Sequence, residues 1–311
     1  MSFAIVFPGQ GSQSVGMLAT LAAEWKQVGE TFAEASDALG YDLWKLAQNG
    51  PESDLNQTDK TQPAMLAAGI ATWRVWQAAG GVAPAYMAGH SLGEYTALVA
   101  AGALDFTTAI KLVEKRGQLM QAAVPDGQGA MAAILGLSDE EVIKACAAAA
   151  QGDVVQAVNF NAVGQVVVAG SVAAVERAVV LAKEAGAKRA IMLPVSVPSH
   201  CALMQPAADE LAKTLAVTEV KSPVIAVLHN VDVAAHKDVA AIRSLLAQQL
   251  HKPVRWVEII QALGTAGVAT IVECGPGKVL AGLNKRIERD MSALPVLDAA
   301  TLQVALDAVK G

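Results

Sequence analysis

Aromatic residues make up only 4% of this 311-residue chain, and cysteine occurs three times. The first scarcity excludes a core built on large rings, so Ala, Val, Leu and Ile must fill it at close spacing, as a 53% hydrophobic content allows. The second excludes a disulfide framework. Three cysteines cannot all pair, and Cys146, Cys201 and Cys274 lie far apart, which fits a reduced, intracellular compartment. Basic residues are outnumbered 23 to 29, and the net charge of −6 argues against nucleic acid as a general partner. No apolar run has membrane character: the long uncharged stretch between Asp153 and Glu176 carries Gln156, Asn159, Asn161 and Gln165, which would be costly in lipid. The opening Met1-Ser2-Phe3-Ala4-Ile5-Val6 lacks the basic flank of a signal peptide. The expectation is a soluble, cytoplasmic protein. Apolar content and length also exclude a disordered chain and suggest two domains, or one α/β unit with an insertion.

What is present alternates between strand and helix patterns. Phe3 to Phe7 reads as a buried strand ending in the turn Pro8-Gly9-Gln10-Gly11. Helical periodicity covers much of Gly16 to Gly40 and then Gln62 to Ala79, which stops at Gly80-Gly81. Ala85 to Ala88, Gly89 to Gly93 and Glu94 to Ala101 read as strand, tight turn and helix, and a further helix covers Asp105 to Ala123. The stretch between Pro125 and Pro198 is more compact: strand Gly129–Leu135, helix Ser138–Ala150, strands Val154–Val158 and Gln165–Ala169 joined by residues 159–164, helix Val172–Ala185 and strand Lys188–Val195. That is the βαββαβ, ferredoxin-like order. After it come strand Val224–Leu228, helices Val239–Leu250 and Val254–Leu263, strand Ala269–Cys274, and a helix to about Arg289. The expected architecture is therefore α/β: a large domain with a parallel sheet covered on both faces, residues 1–124 and 199–311, interrupted by a ferredoxin-like domain, residues 125–198.

Gly89-x-Ser91-x-Gly93 carries the clearest chemistry. A nucleophile elbow needs small residues on both sides, because the chain turns sharply from strand to helix and leaves the serine hydroxyl exposed. The following helix start aims backbone N–H groups at an oxyanion formed there. A serine needs a base. Of the five histidines, His90 adjoins Ser91 and should diverge from it, while His229, His236 and His251 read as ordinary surface or core residues. His200 follows the last strand of the inserted domain, where the chain returns to the large one, and is the candidate base facing the interdomain cleft. Arg116 has two readings: a solvated helical face shared with Lys111 and Lys115, or a bidentate partner for a substrate carboxylate. In Gly9-Gln10-Gly11 with Gly16 the third glycine falls too late for a dinucleotide loop, and around Gly275-Pro276-Gly277-Lys278 Val272 and Val279 replace the glycine and Ser/Thr of a phosphate loop, so both read as tight turns at strand ends. Cys201 reads as a small buried residue.

Taken together, Phe7-Pro8-Gly9-Gln10-Gly11-Ser12-Gln13, Gly89-His90-Ser91-Leu92-Gly93-Glu94-Tyr95, Val158-Asn159-Phe160-Asn161, Pro194 to His200 and Glu273-Cys274-Gly275-Pro276-Gly277-Lys278 extend the pattern over the whole chain. It closely resembles the malonyl-CoA:acyl carrier protein transacylases of type II fatty acid synthesis. The resemblance implies an α/β-hydrolase-like domain interrupted by a ferredoxin-like one, and roles by position. Ser91 would be acylated, His200 its base, and Gln249 would orient His200 through its main-chain carbonyl. The N–H groups of Gln10 and Leu92 would form the oxyanion hole, and Arg116 would grip the malonyl carboxylate. His90, Asn159 and Asn161 would line the cleft. No bound cofactor or metal is expected, only malonyl-CoA and the phosphopantetheine of acyl carrier protein as substrates, acting on a monomer. An acidic carrier needs a basic patch on this acidic chain. Lys278, Lys285, Arg286 and Arg289 are the candidates, with Lys188 and Arg189 second. The rivals are a serine hydrolase completing its triad with Asp209, Asp232 or Asp238, and a non-catalytic carrier-binding module.

Overall fold

Strand β1 (Ser2–Phe7) shows how the large sheet is built: Phe3, Ile5 and Phe7 enter one core cluster while Ala4 and Val6 enter another. Alternate side chains buried on both faces are the mark of a central parallel strand, and each large one stabilises the fold by roughly 1.5–3 kcal/mol. The computed structural model describes residues 2–195 and 197–310; Met1 and Ser196, which fall in stretches read above, and Gly311 lie outside the described residues. The remaining strands are β2 (Tyr86–Gly89), β3 (Gly129–Leu135), β4 (Val155–Ala162), β5 (Gln165–Ser171), β6 (Arg189–Met192), β7 (Ala226–Leu228), β8 (Val268–Cys274) and β9 (Ser292–Val296).

The first sheet has the order β7-β2-β1-β8-β9, all parallel. The chain leaves β1 on one side toward β2 and returns on the other at β8, so a crevice opens at the carboxyl ends of these three strands. Phe7 pairs with Gly89 and Val6 with Glu273, which brings the turns after β1, β2 and β8 to one edge. Pro8 packs under Gly275 and Ser12 beside Gly277. The two glycine turns are thus tight strand ends flanking the crevice, as read.

The second sheet is antiparallel, in the order β4-β5-β3-β6, the ferredoxin-like arrangement. The helices Asp139–Ala150 and Val172–Glu184 cover one face, burying Ala132, Ile134, Val166 and Val168. The first helix starts with the expected capping box between Ser138 and Glu141. On the opposite face Met131, Val158, Val167 and Ala169 pack with Cys201, which is fully buried. All three cysteines are free and buried.

The structure corrects several boundaries. Residues 159–162, expected in a connector, belong to β4, and only Val163-Gly164 make the turn. The apolar run ends at Val158, but the strand continues because the large unit supplies partners: Val254 N–H donates to the Val158 carbonyl and Phe160 N–H to that of Val254. The register shifts at Ala157/Asn159 and Phe160/Ala162 re-aim the polar side chains there. β6 is shorter than Lys188–Val195, and the helix expected from Gln62 begins at Thr58. Helix Val254–Leu263 runs from Trp256 to Thr265, and Gln205–Val217, β9 and Ala299–Val309 are further elements not expected above. Among the described residues no helix is long and apolar enough to cross a membrane.

Candidate active site

The elbow turns as tightly as the Gly-x-Ser-x-Gly spacing demands. A methyl group on Gly89 would fall on the Gly93 backbone, and one on Gly93 would strike the Phe7 carbonyl. Between them Ser91 has φ 51°, a left-handed conformation that costs a non-glycine residue roughly 1–2 kcal/mol. Its N–H donates to Asn230 Oδ1 at 2.8 Å, and Asn230 Nδ2 donates to the Gly89 carbonyl at 2.7 Å, so one side chain clamps both arms of the turn. Strain held in place by specific bonds marks a functional position.

His200 stands opposite, with Nε2 2.8 Å from Ser91 Oγ. It too has positive φ, 67°, and two consecutive residues hold it: its N–H donates to the Leu250 carbonyl at 2.9 Å and its Nδ1 to the Gln249 carbonyl at 2.6 Å. The Nδ1–H donation leaves Nε2 as the lone-pair nitrogen that accepts the Ser91 proton. A neutral carbonyl stands where a hydrolase triad has a carboxylate. Asp209 pairs with Gln205, Asp232 with His236, and Asp238 caps the helix Val239–Gln248, so none of the three reaches His200.

Arg116 is 1% exposed, not on the solvated face of Lys111 and Lys115. From the helix Phe106–Ala123 it donates through Nη1 to Gln62 Oε1 at 2.8 Å and through Nη2 to Gln249 Oε1 at 3.0 Å. Nη2 is also 3.4 Å from Ser91 Oγ, the Tyr95 ring lies 5.4 Å away, and Nε has no partner among the described residues. The guanidinium is thus held beside the nucleophile with donor capacity unmet.

Burial and, next, the Arg116 charge push the His200 pKa down to about 3. The imidazole is therefore neutral, and able to act as base, throughout the ordinary pH range. The acid limb of the acylation kcat/KM, which reports the free protein, is expected below pH 4. A limb at 6.5 would contradict this environment. The lowered native pKa also means that the contribution of this group to stability, present above 6.5, is lost as pH falls toward 3, so circular dichroism should accompany the profile.

A cavity of about 380 Å³ joins these groups, lined by Gln10, His90, Ser91, Leu92, Arg116, Asn159, Asn161 and His200, with Met131 and Val167 from the second sheet. Among the described residues the Gln10 and Leu92 N–H groups donate to no protein acceptor. His90 diverges from Ser91, as its adjacency requires, and its Nε2 is 2.7 Å from Asn161 Oδ1. Asn159 Oδ1 is buried without a partner among the described residues. The wall also contains Val279, Leu280 and Leu283 from the helix Val279–Ile287, whose outer side exposes Lys285 and Arg286 beside Lys278. Arg289, Lys188 and Arg189 are exposed but do not line the cavity.

Sequence reasoning overlooked Glu94, Asn230 and Gln62, and it treated His229 as unremarkable. Glu94 is wholly buried in the first turn after the elbow, with Nδ1 of the buried His229 at 2.7 Å. A lone carboxylate in an apolar helix and polar residues just past β7 were the available signals. Among the described residues no cluster of His, Cys, Asp and Glu could hold a metal ion.

An alcohol in a strained turn, an imidazole within proton-sharing distance and two unsatisfied backbone donors can take up an acyl group and pass it on. Fold and site together define an α/β acyltransferase. A family model described as acyl transferase domain matches residues 4–302, and the chain belongs to that family. It is 60% identical over 300 residues to the malonyl CoA-acyl carrier protein transacylase of Haemophilus influenzae, with 96% of each chain covered. An acyl carrier protein S-malonyltransferase from Vibrio cholerae superposes with TM-score 0.96 at 63% identity, covering 98% of this chain and 99% of that one. A malonyl-transacylase solved in complex with its holo type II polyketide synthase acyl-carrier protein gives TM-score 0.98 at 57% identity, covering 99% of this chain and 100% of that one.

Proposed function

We propose that this chain transfers malonyl from malonyl-CoA to the phosphopantetheine thiol of acyl carrier protein through a malonyl–Ser91 ester. His200 Nε2 takes the Ser91 proton as Oγ attacks the thioester carbon. The C–S bond breaks, and the same proton goes to the departing CoA thiolate. The carrier thiol then gives its proton to His200 and its sulfur attacks the ester carbon; the bond from that carbon to Oγ breaks, and His200 returns the proton to Ser91. Leu92 and Gln10 N–H groups face the oxyanion in both steps. An oxygen ester and a thioester are close enough in energy that neither metal nor redox cofactor is required.

The observation that carries the malonyl assignment is Arg116, buried with its guanidinium 3.4 Å from Ser91 Oγ. A buried cation favours an acyl group ending in a carboxylate and disfavours simple lipid chains. The relatives' names agree, and the carrier complex of a 57% identical chain supports the second substrate. Lys285 and Arg286 on the helix that walls the cavity, with Lys278 just before it, suit an acidic carrier, and Arg289 extends the patch. The working state in this reading is a cytoplasmic monomer of two units, residues 1–124 with 199–311 and residues 125–198, engaging neither nucleic acid nor membrane.

The test is the initial-rate pattern with malonyl-CoA and holo acyl carrier protein both varied. Parallel double-reciprocal lines, with little malonate released when carrier is saturating, are expected. Converging lines, or malonate release that carrier does not suppress, would overturn the reading in favour of direct transfer or hydrolysis.

A further inference from the structure

The fully buried Glu94 carboxylate accepts from the Asn230 N–H at 2.9 Å and from Gln249 Nε2 at 2.8 Å on Oε2, while Oε1 faces His229 Nδ1 at 2.7 Å. These contacts define the orientation of the Gln249 amide. Its nitrogen is committed to Glu94, and to the Ser91 carbonyl at 3.0 Å, so its oxygen must face Arg116 Nη2. A reversed amide would set oxygen against carboxylate and NH₂ against guanidinium, unfavourable at both ends. Gln249 thus has two separate tasks. Its backbone carbonyl serves His200, and its side chain stands between a buried anion and a buried cation.

We infer that Glu94 is a positioning residue for acyl transfer, acting through the Gln249 side chain to hold Arg116 beside Ser91. This rests on the malonyl-transfer reading above. Glu94 contacts none of the reacting atoms. Its location three residues after Ser91, at the start of the elbow helix, carries its charge where the helix dipole favours an anion. The same carboxylate fixes the Asn230 backbone, and the Asn230 side chain clamps the elbow. One buried group therefore keeps nucleophile and acyl-carboxylate site in mutual register.

A double-mutant cycle tests it, using malonyl loading kcat/KM with Glu94→Met, Gln249→Met and the pair. Gln249→Met keeps the main-chain carbonyl that holds His200. Each single change is expected to lower kcat/KM by about 30-fold, the range for a hydrogen bond to a charged group. The double variant should be little worse than Glu94→Met alone, because the Gln249 side chain's part is already lost there, and any excess of the Glu94→Met loss over that of Gln249→Met reads the separate path through Asn230. Both should also lower the ratio of malonyl to acetyl loading. Independent losses multiplying to about 900-fold, or Glu94→Met loading malonyl at the unmodified rate, would overturn the inference. If Glu94→Met fails to fold by circular dichroism, Glu94→Asp, which withdraws the carboxylate by one methylene, replaces it in the same cycle with the same criterion. The unmodified chain separates the two failures: if it loads no malonyl, the functional reading is wrong, whereas additive variants of an active protein refute only the Glu94 role.

Discussion

Replacing Ser91 with alanine is expected to abolish acyl transfer, lowering the rate by about 10⁶-fold, the scale on which an activated nucleophile is worth about 8 kcal/mol. The size follows from geometry. His200 Nε2 is 2.8 Å from Ser91 Oγ, so the substitution removes the atom that the imidazole is placed to activate. The oxyanion donors and Arg116 would still bind malonyl-CoA, so affinity should change little while turnover disappears. Neither the elbow nor the core should suffer, because alanine occupies the same backbone position and the clamp from Asn230 goes to the Ser91 N–H, which remains. An unchanged unfolding curve with no transfer is the expected pair of observations. Residual transfer above about one part in a thousand would mean that another group carries the acyl chain.

Arg116→Ala should divide substrates. Removing the cation leaves a malonyl carboxylate buried without a partner, a loss of about 2–5 kcal/mol, or roughly 30- to 5,000-fold in kcat/KM. Acetyl has no carboxylate to lose, so its loading should stay within a few-fold or rise. The increase has a physical cause. After burial, the Arg116 charge is the next force lowering the His200 pKa, and its removal makes the imidazole a stronger base. The same reasoning gives the guanidinium a second effect in the unmodified protein. A bound malonyl carboxylate would neutralise it and relieve the penalty on an imidazolium nearby, so the acyl group would help His200 take the proton of the serine that attacks it. Part of the malonyl loss should therefore appear in kcat as well as in KM. Equal losses for malonyl and acetyl would make Arg116 a structural residue.

How much was legible before the fold was known depended on the range of the interaction. The elbow and the capping box at Ser138 are local, and their residue types follow from backbone geometry within a few positions, so they were found where they stand. The βαββαβ order likewise emerged from local periodicity. Arg116 did not, because the burial of a helix face depends on distant neighbours. Gln62 and Gln249, which hold it, are 54 and 133 residues away. Lys111 and Lys115 made the helix look solvated, and only the resemblance to known transacylases favoured the carboxylate-binding reading of Arg116 over that one. Glu94 and Asn230, separated by 136 residues, stayed hidden for the same reason. β4 was cut short at Val158 because apolar content cannot report that Val254, from the other unit, offers hydrogen bonds to continue it.

The central claim is that the acyl group resides on one oxygen between two half-reactions. The direct measurement is intact-mass spectrometry of the protein after brief exposure to malonyl-CoA alone, with peptide mapping, followed by addition of holo acyl carrier protein. One malonyl mass per chain, on the peptide containing Ser91, that passes to the carrier is the predicted result. A malonylated carrier formed without any acylated protein, or an adduct on another residue that the carrier discharges, would contradict the account.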